Sequence, residues 1–212
     1  MRRAFSWLLF AALQLICVSS QAQNAKLAGF VFANAIGVSG NADLTANGRK
    51  LTNKGVPAGA ATSGLGLEIG SYSVQVTAPG CVPATAPVQL AEGSTPILVA
   101  YRERTIDPRS SKPQDVVKTL QLPAQPQKQK FSLTVVSVDP AGRFTATAGG
   151  RTQGLEFGKP VNFESKTLKI ADATGASAEA EVDEKASYYC FLFHTAEGKP
   201  TIVTVPQQIY TW

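Results

Sequence analysis

Residues 144–151 read FTATAGGR, and residues 44–50, about a hundred positions earlier, read LTANGRK. Each stretch alternates small or apolar residues with threonine, then meets a pair of turn formers followed by arginine. Asn-Gly and Gly-Gly are the pairs that supply two successive positive φ angles, which a two-residue hairpin turn requires. Asn47-Gly48 and Gly149-Gly150 therefore read as the tips of two hairpins, with Leu44 and Phe144 as matching apolar positions on the incoming strands. A second echo, GLEIG at 66–70 and GLEFG at 154–158, does not fall at the same offset. The chain is read as two similar units.

The remaining sequence supports that reading. In the first half LAGFVFANA, SYSVQVTA and TPILVAYRE alternate with period two. Their inward sets are Phe30 and Phe32; Tyr72, Val74 and Val76; and Ile97, Val99 and Tyr101. Such alternation marks half-buried strands. The turn signals NGR, NKG, PAG and APG lie between them. In the second half FSLTVVSV, KTLKIAD, ASYYCFLFHT and PTIVTV repeat the plan, with no sustained helical apolar period. Between the halves, ERTIDPRSSKPQDVVKTLQLPAQPQKQK at 103–130 is rich in Pro, Gln, Lys and Ser. It reads as a linker carrying a short extended or helical piece around DVVKTLQL. The expected fold is all-β. Two tandem small β-sandwich domains, immunoglobulin-like or jelly-roll-like, span 23–102 and 131–212, each with six or seven short strands.

The N-terminus reads as a cleaved export signal at 1–22. Arg2 and Arg3 precede the apolar run AFSWLLFAALQLICV, and Ser20 and Ala22 are small residues placed for cleavage. The run is short for a membrane span, which needs about 20 apolar residues, so no stable membrane insertion is expected after cleavage. Gln14 argues against a lipid anchor at Cys17. Loss of Arg2 and Arg3 takes the formal net charge from +5 to +3. The remaining cations are scattered rather than interleaved with aromatics, so no nucleic-acid site is expected. The localisation expected is periplasmic, with an extracellular location as the alternative.

Two cysteines survive cleavage. An oxidising compartment permits a Cys81–Cys190 disulfide, which on the entropic argument would be worth about 4 kcal/mol. Cys190, inside SYYCFLF, reads equally as a small core residue. His194 is the single histidine, and at a strand end it reads as a solvated loop residue. Contact between Cys190 and His194 is excluded if the strand holds, since residues four apart lie ~13 Å apart along it. No G-x-S-x-G, C-x-x-C, H-E-x-x-H or P-loop pattern occurs. In the acidic run EAEVDE, Glu179, Glu181 and Asp183 share a strand face, which reads as solvated or as a guard against edge pairing. No catalytic residue, metal site or cofactor is expected, and the protein is read as a non-enzyme. Among the aromatics Tyr101, Tyr188, Tyr189, Tyr210 and Trp212, adjacent Tyr188 and Tyr189 face opposite sides. Tyr189 and Trp212 are the candidates for contact with a partner or a glycan.

Three stretches carry a family resemblance: LAGFVFANA at 27–35, GSYSVQVTA at 70–78, and the late pair SYYCFLFHTAEGKPTIVTVPQ at 187–207. With the N-terminal leader and the two β halves, they resemble the periplasmic accessory proteins of alginate O-acetylation, the AlgF type. The first two also resemble a secreted β-sandwich module of bacterial surface proteins whose function is unknown. The first resemblance implies a non-catalytic periplasmic adaptor that bridges acetyltransferase components, with a polysaccharide nearby. The alternative is a surface carbohydrate- or protein-binding module.

Overall fold

The computed structural model describes residues 26–123 and 131–208; the expected export signal, the end of the expected linker and Trp212 lie outside these residues. Every regular element in the described residues is a strand. The first half runs β1 (Leu27–Ala35), β2 (Asn41–Ala46), β3 (Arg49–Lys50), β4 (Val56–Pro57), β5 (Leu65–Glu68), β6 (Gly70–Thr77), β7 (Cys81–Val82), β8 (Ala84–Leu90), β9 (Pro96–Ile106) and β10 (Pro113–Pro123). The second runs β11 (Leu133–Ser137), β12 (Phe144–Ala148), β13 (Arg151–Gly154), β14 (Val161–Phe163), β15 (Thr167–Asp172), β16 (Ser177–Glu181), β17 (Tyr188–His194) and β18 (Pro200–Pro206).

Each half is a two-sheet sandwich, and the halves share one topology. The first contains the orders β5-β1-β9-β10-β7 and β3-β2-β6-β8; the second contains β14-β11-β17-β18 and β13-β12-β15-β16. Setting aside the short additions β4 and β7, the orders correspond strand for strand. The correspondence includes the parallel pairing of the opening strand, β1 with β9 and β11 with β17. The two hairpin tips are equivalent as expected. Asn47 and Gly48 have φ of 47° and 80°, and Gly149 and Gly150 have 56° and 78°. Ala46 pairs with Arg49 in one and Ala148 with Arg151 in the other. Aligned on these turns, Leu44 corresponds to Ala146 and Phe144 to Ala42, so the expected match of Leu44 with Phe144 is two residues out. All four residues still point into a core, because a shift of two preserves the face. The GLEIG and GLEFG stretches are not equivalent. The first joins β5 to β6, whereas the second joins β13 to β14.

The expected linker is mostly strand. Residues 113–123 form β10, which pairs with β9 along its whole length, from Pro113 opposite Ile106 to Pro123 opposite Pro96. The first sandwich therefore extends to residue 123, past the expected boundary at 102. The reason lies in Val117, Leu120 and Leu122, whose side chains find buried surfaces on the two faces of β10. The alternation of DVVKTLQL marked this, although the surrounding Pro, Ser and Lys masked it.

The two sandwiches are also not separate. Phe30, Phe32, Leu44, Val74, Val76, Val88 and Leu98 form a core between the sheets of the first half. Leu133, Val135, Phe144, Leu168, Ile170, Cys190 and Leu192 form one in the second. A third core lies between the halves, where Val31, Ala33, Ile97 and Val99 meet Val136, Phe191, Phe193, Val203 and Val205. The molecule is thus a stack of four sheets with three apolar layers. Its inner strands are buried on both faces: every residue of β1 after Leu27 is buried. A near-continuous apolar run is the usual mark of such a strand, and LAGFVFANA and YYCFLF are such runs. The expectation of a half-buried strand was wrong for LAGFVFANA and for the start of TPILVAYRE, where Pro96–Ala100 are all buried. The loop between β4 and β5 completes the edge of β1. Asn34 N donates to Ala60 O (2.9 Å) and Thr62 N to Phe32 O (2.8 Å), so the backbone of β1 is paired where β5 does not reach.

Candidate functional site

The second half carries a groove of about 730 Å³ beside the ends of β10, β11, β14 and β18 and the β12–β13 turn, within the size range of small-molecule sites. Phe131 and the exposed Pro160 form part of the rim. Along the floor, Gln207 Nε2 donates to Thr134 Oγ1 (3.1 Å), and Thr134 Oγ1 donates to Asn162 Oδ1 (2.8 Å). This chain has a direction. Gln207 keeps an amide oxygen as acceptor, and the exposed Asn162 keeps its amide N–H groups as donors. Gln207 is only 5% exposed, and its own backbone N–H donates to Ser187 O (2.7 Å), so the floor is fixed. Arg151 leads out of the Gly149-Gly150 turn. Its guanidinium lies 5.7 Å from the centre of the Phe163 ring and donates to Gln153 Oε1 (2.6 Å). The carboxylate residue Glu164 also lines the groove.

A second polar cluster surrounds His194. Its Nδ1 lies 2.7 Å from Asp139 Oδ2 and its Nε2 lies 3.2 Å from Asp172 Oδ2. The ring stacks on Phe144, with centroids 4.6 Å apart and planes at 22°. The side chain is 20% exposed and that of Asp172 is 6% exposed. This corrects the expectation of a solvated loop histidine. Both aspartates start D-x-x-G turns, DPAG and DATG, and each uses Oδ1 to hold its own turn. Asp139 Oδ1 accepts from Ala141 N and Gly142 N (both 3.0 Å), while Asp172 Oδ1 accepts from Thr174 N (2.8 Å) and Ala176 N (3.0 Å). The Thr174 hydroxyl, followed by His194, holds the Asp172 carboxyl below its ordinary range against the opposing effect of burial. A carboxylate oxygen lies against each ring nitrogen, so the imidazole is engaged on both edges. It fastens two turns to the end of β17. Among the described residues, no group of His, Cys, Asp and Glu is arranged to hold a metal ion.

The other expected site residues separate. Cys81 and Cys190 are both free. Cys81 packs on the core of the first half and Cys190 points into the core of the second, so the middle apolar layer lies between them. Facing sheets stand about 10 Å apart, beyond the 4.4–6.8 Å between Cα atoms that a disulfide requires. Burial pushes the Cys190 thiol up to about 12, and burial, then Asp115, pushes Cys81 up; neither is an activated nucleophile. Tyr189 is largely buried but also lines the groove. It is 4% exposed in the middle core, with its hydroxyl donating to Pro123 O (3.1 Å). Tyr188 is the more exposed of the pair. Its hydroxyl donates to Asp183 Oδ1 (2.6 Å), and burial, then that carboxylate, push its phenol up to about 12. Glu179 and Glu181 do share the outer face of the edge strand β16, with Glu179 opposite Lys169.

Sequence reasoning missed Asp139, Asp172, Thr134, Asn162 and Gln207. The two D-x-x-G turns were a usable signal. The groove residues Thr134, Asn162 and Gln207 had none, since they come from three separate strands or strand ends. No family model matches the chain, and no curated protein matches it.

Proposed function

We propose that this protein is a non-catalytic exported adaptor that holds protein components of a polysaccharide-modifying assembly together in the periplasm. The resemblance noted above makes acetyltransferase components of alginate-type O-acetylation the partners of first choice. The observation that supports the adaptor reading is the stack itself. Fusion through a middle core buries one face of each inner sheet and leaves two outer sheet faces pointing in opposite directions. Both carry rows of polar and charged side chains. Thr45, Gln75 and Thr85 lie side by side on one, and Thr152, Thr147, Lys169 and Glu179 on the other. A rigid body with two such faces can bring two partners together and raise their effective concentration.

The test is in-cell photo-crosslinking from Gln75 on one face and Thr147 on the other, followed by identification of what is captured. A membrane O-acyltransferase or a periplasmic acetylesterase-like protein captured from either position is the expected result. Capture of neither class from either face overturns the reading. The groove favours a second reading, a carbohydrate-binding module.

A further inference from the structure

We infer that the groove between β10, β11, β14 and β18 is a binding site for a saccharide chain. A sugar ring presents hydroxyls around its edge and C–H groups on its face. The groove offers the complement of both. The Gln207–Thr134–Asn162 chain provides an acceptor at one end and donors at the other, spaced by a shared hydroxyl. That is the pattern a pair of neighbouring hydroxyls satisfies, each giving and taking one hydrogen bond. Phe131 and Pro160 supply carbon surfaces for the ring face. Arg151, held in place by Gln153 and Phe163, adds fixed donors. The floor is already hydrogen-bonded before any ligand arrives, so little ordering cost remains on binding.

This site lies beyond the adaptor reading and stands or falls without it. Crosslinking from the outer faces reports on protein partners, whereas the groove is read with soluble sugars. The experiment is amide NMR titration of the full chain with two probes, a β-1,4-linked glucose hexasaccharide and a β-1,4-linked mannuronate hexasaccharide. Shifts in the amides of Thr134, Arg151 and Asn162 with at least one probe are expected. Asn162→Ala should weaken that binding about tenfold, the loss expected for a well-made hydrogen bond. Arg151→Gln should weaken it as well, and Gln75→Ala, on the far outer face, should leave it unchanged. Melting temperatures of all three variants close to that of the parent separate loss of contact from loss of fold. No groove shifts with either sugar at about 10 mM, or binding that survives both Asn162→Ala and Arg151→Gln, overturns the inference.

Discussion

At the scale of single residues, the His194 cluster and one orphaned hydroxyl give the sharpest expectations. His194→Ala leaves two carboxylates facing a hole that the imidazole filled, so the melting temperature should fall by several degrees at neutral pH. Asp172 has its pKa lowered in the fold from 3.8. A carboxyl depressed on folding contributes stability that is complete above its unfolded value and disappears as the pH falls through its folded value. The difference in stability between parent and Asp172→Asn should therefore be largest near neutral pH and shrink below about pH 4, which acid titration of both melting curves would show. Ser137 is fully buried in the second-half core and its Oγ has no hydrogen-bond partner. An unmet buried hydroxyl costs free energy. Ser137→Ala should be neutral or stabilise by up to about 1 kcal/mol in urea denaturation, and a loss of more than that would point to a hidden partner.

The elements show how turns and strands place those residues. The two hairpin tips depend on backbone conformations that L-residues adopt at a cost. Gly150 has φ of 78° and open space where a Cβ would go, so Gly150→Ala tests strain alone, and a loss of about 1 kcal/mol is expected. Gly37 is a harder case. Its φ is 73°, and a Cβ there would run into the carbonyl oxygen of His194. Its own carbonyl accepts from Ala196 N at 2.5 Å. This glycine joins the loop after β1 to the end of β17, one half to the other, beside the His194 cluster. The same element-scale logic explains β10. The charged, proline-flanked sequence around it suggested a tether, but pairing with β9 along its full length and two apolar faces made it a strand of the inner sheet.

For the whole molecule, the middle core decides behaviour. Phe191 is fully buried between the halves. Phe191→Ala should cost about 3–5 kcal/mol, as deletion of a core aromatic does. The loss should appear as a shift of one unfolding transition rather than the separation of two, because neither inner sheet has another surface to cover it. Calorimetry would distinguish these outcomes. Either half expressed alone should expose Val31, Ile97 and Val99, or Phe191, Phe193 and Val203, and associate or aggregate.

The hairpin pairs and the period-two strands determined an all-β chain of two like units, because turn chemistry and face alternation are local properties that each segment carries in its own residues. The apolar runs LAGFVFANA and YYCFLF carry the mark of strands buried on both sides, which the period-two reading passed over. The partner of that second face was not legible, since apolar residues bury against any apolar surface and do not name it. Only the tertiary structure decided that the two sandwiches share a core, that Tyr189 is inside it, and that Cys81 and Cys190 lie on opposite sides of it. It alone brought Thr134, Asn162 and Gln207 into one groove and both aspartates onto His194. Those meetings join residues from 22 to 73 positions apart, and separations of that kind are fixed by how sheets stack rather than by any local pattern.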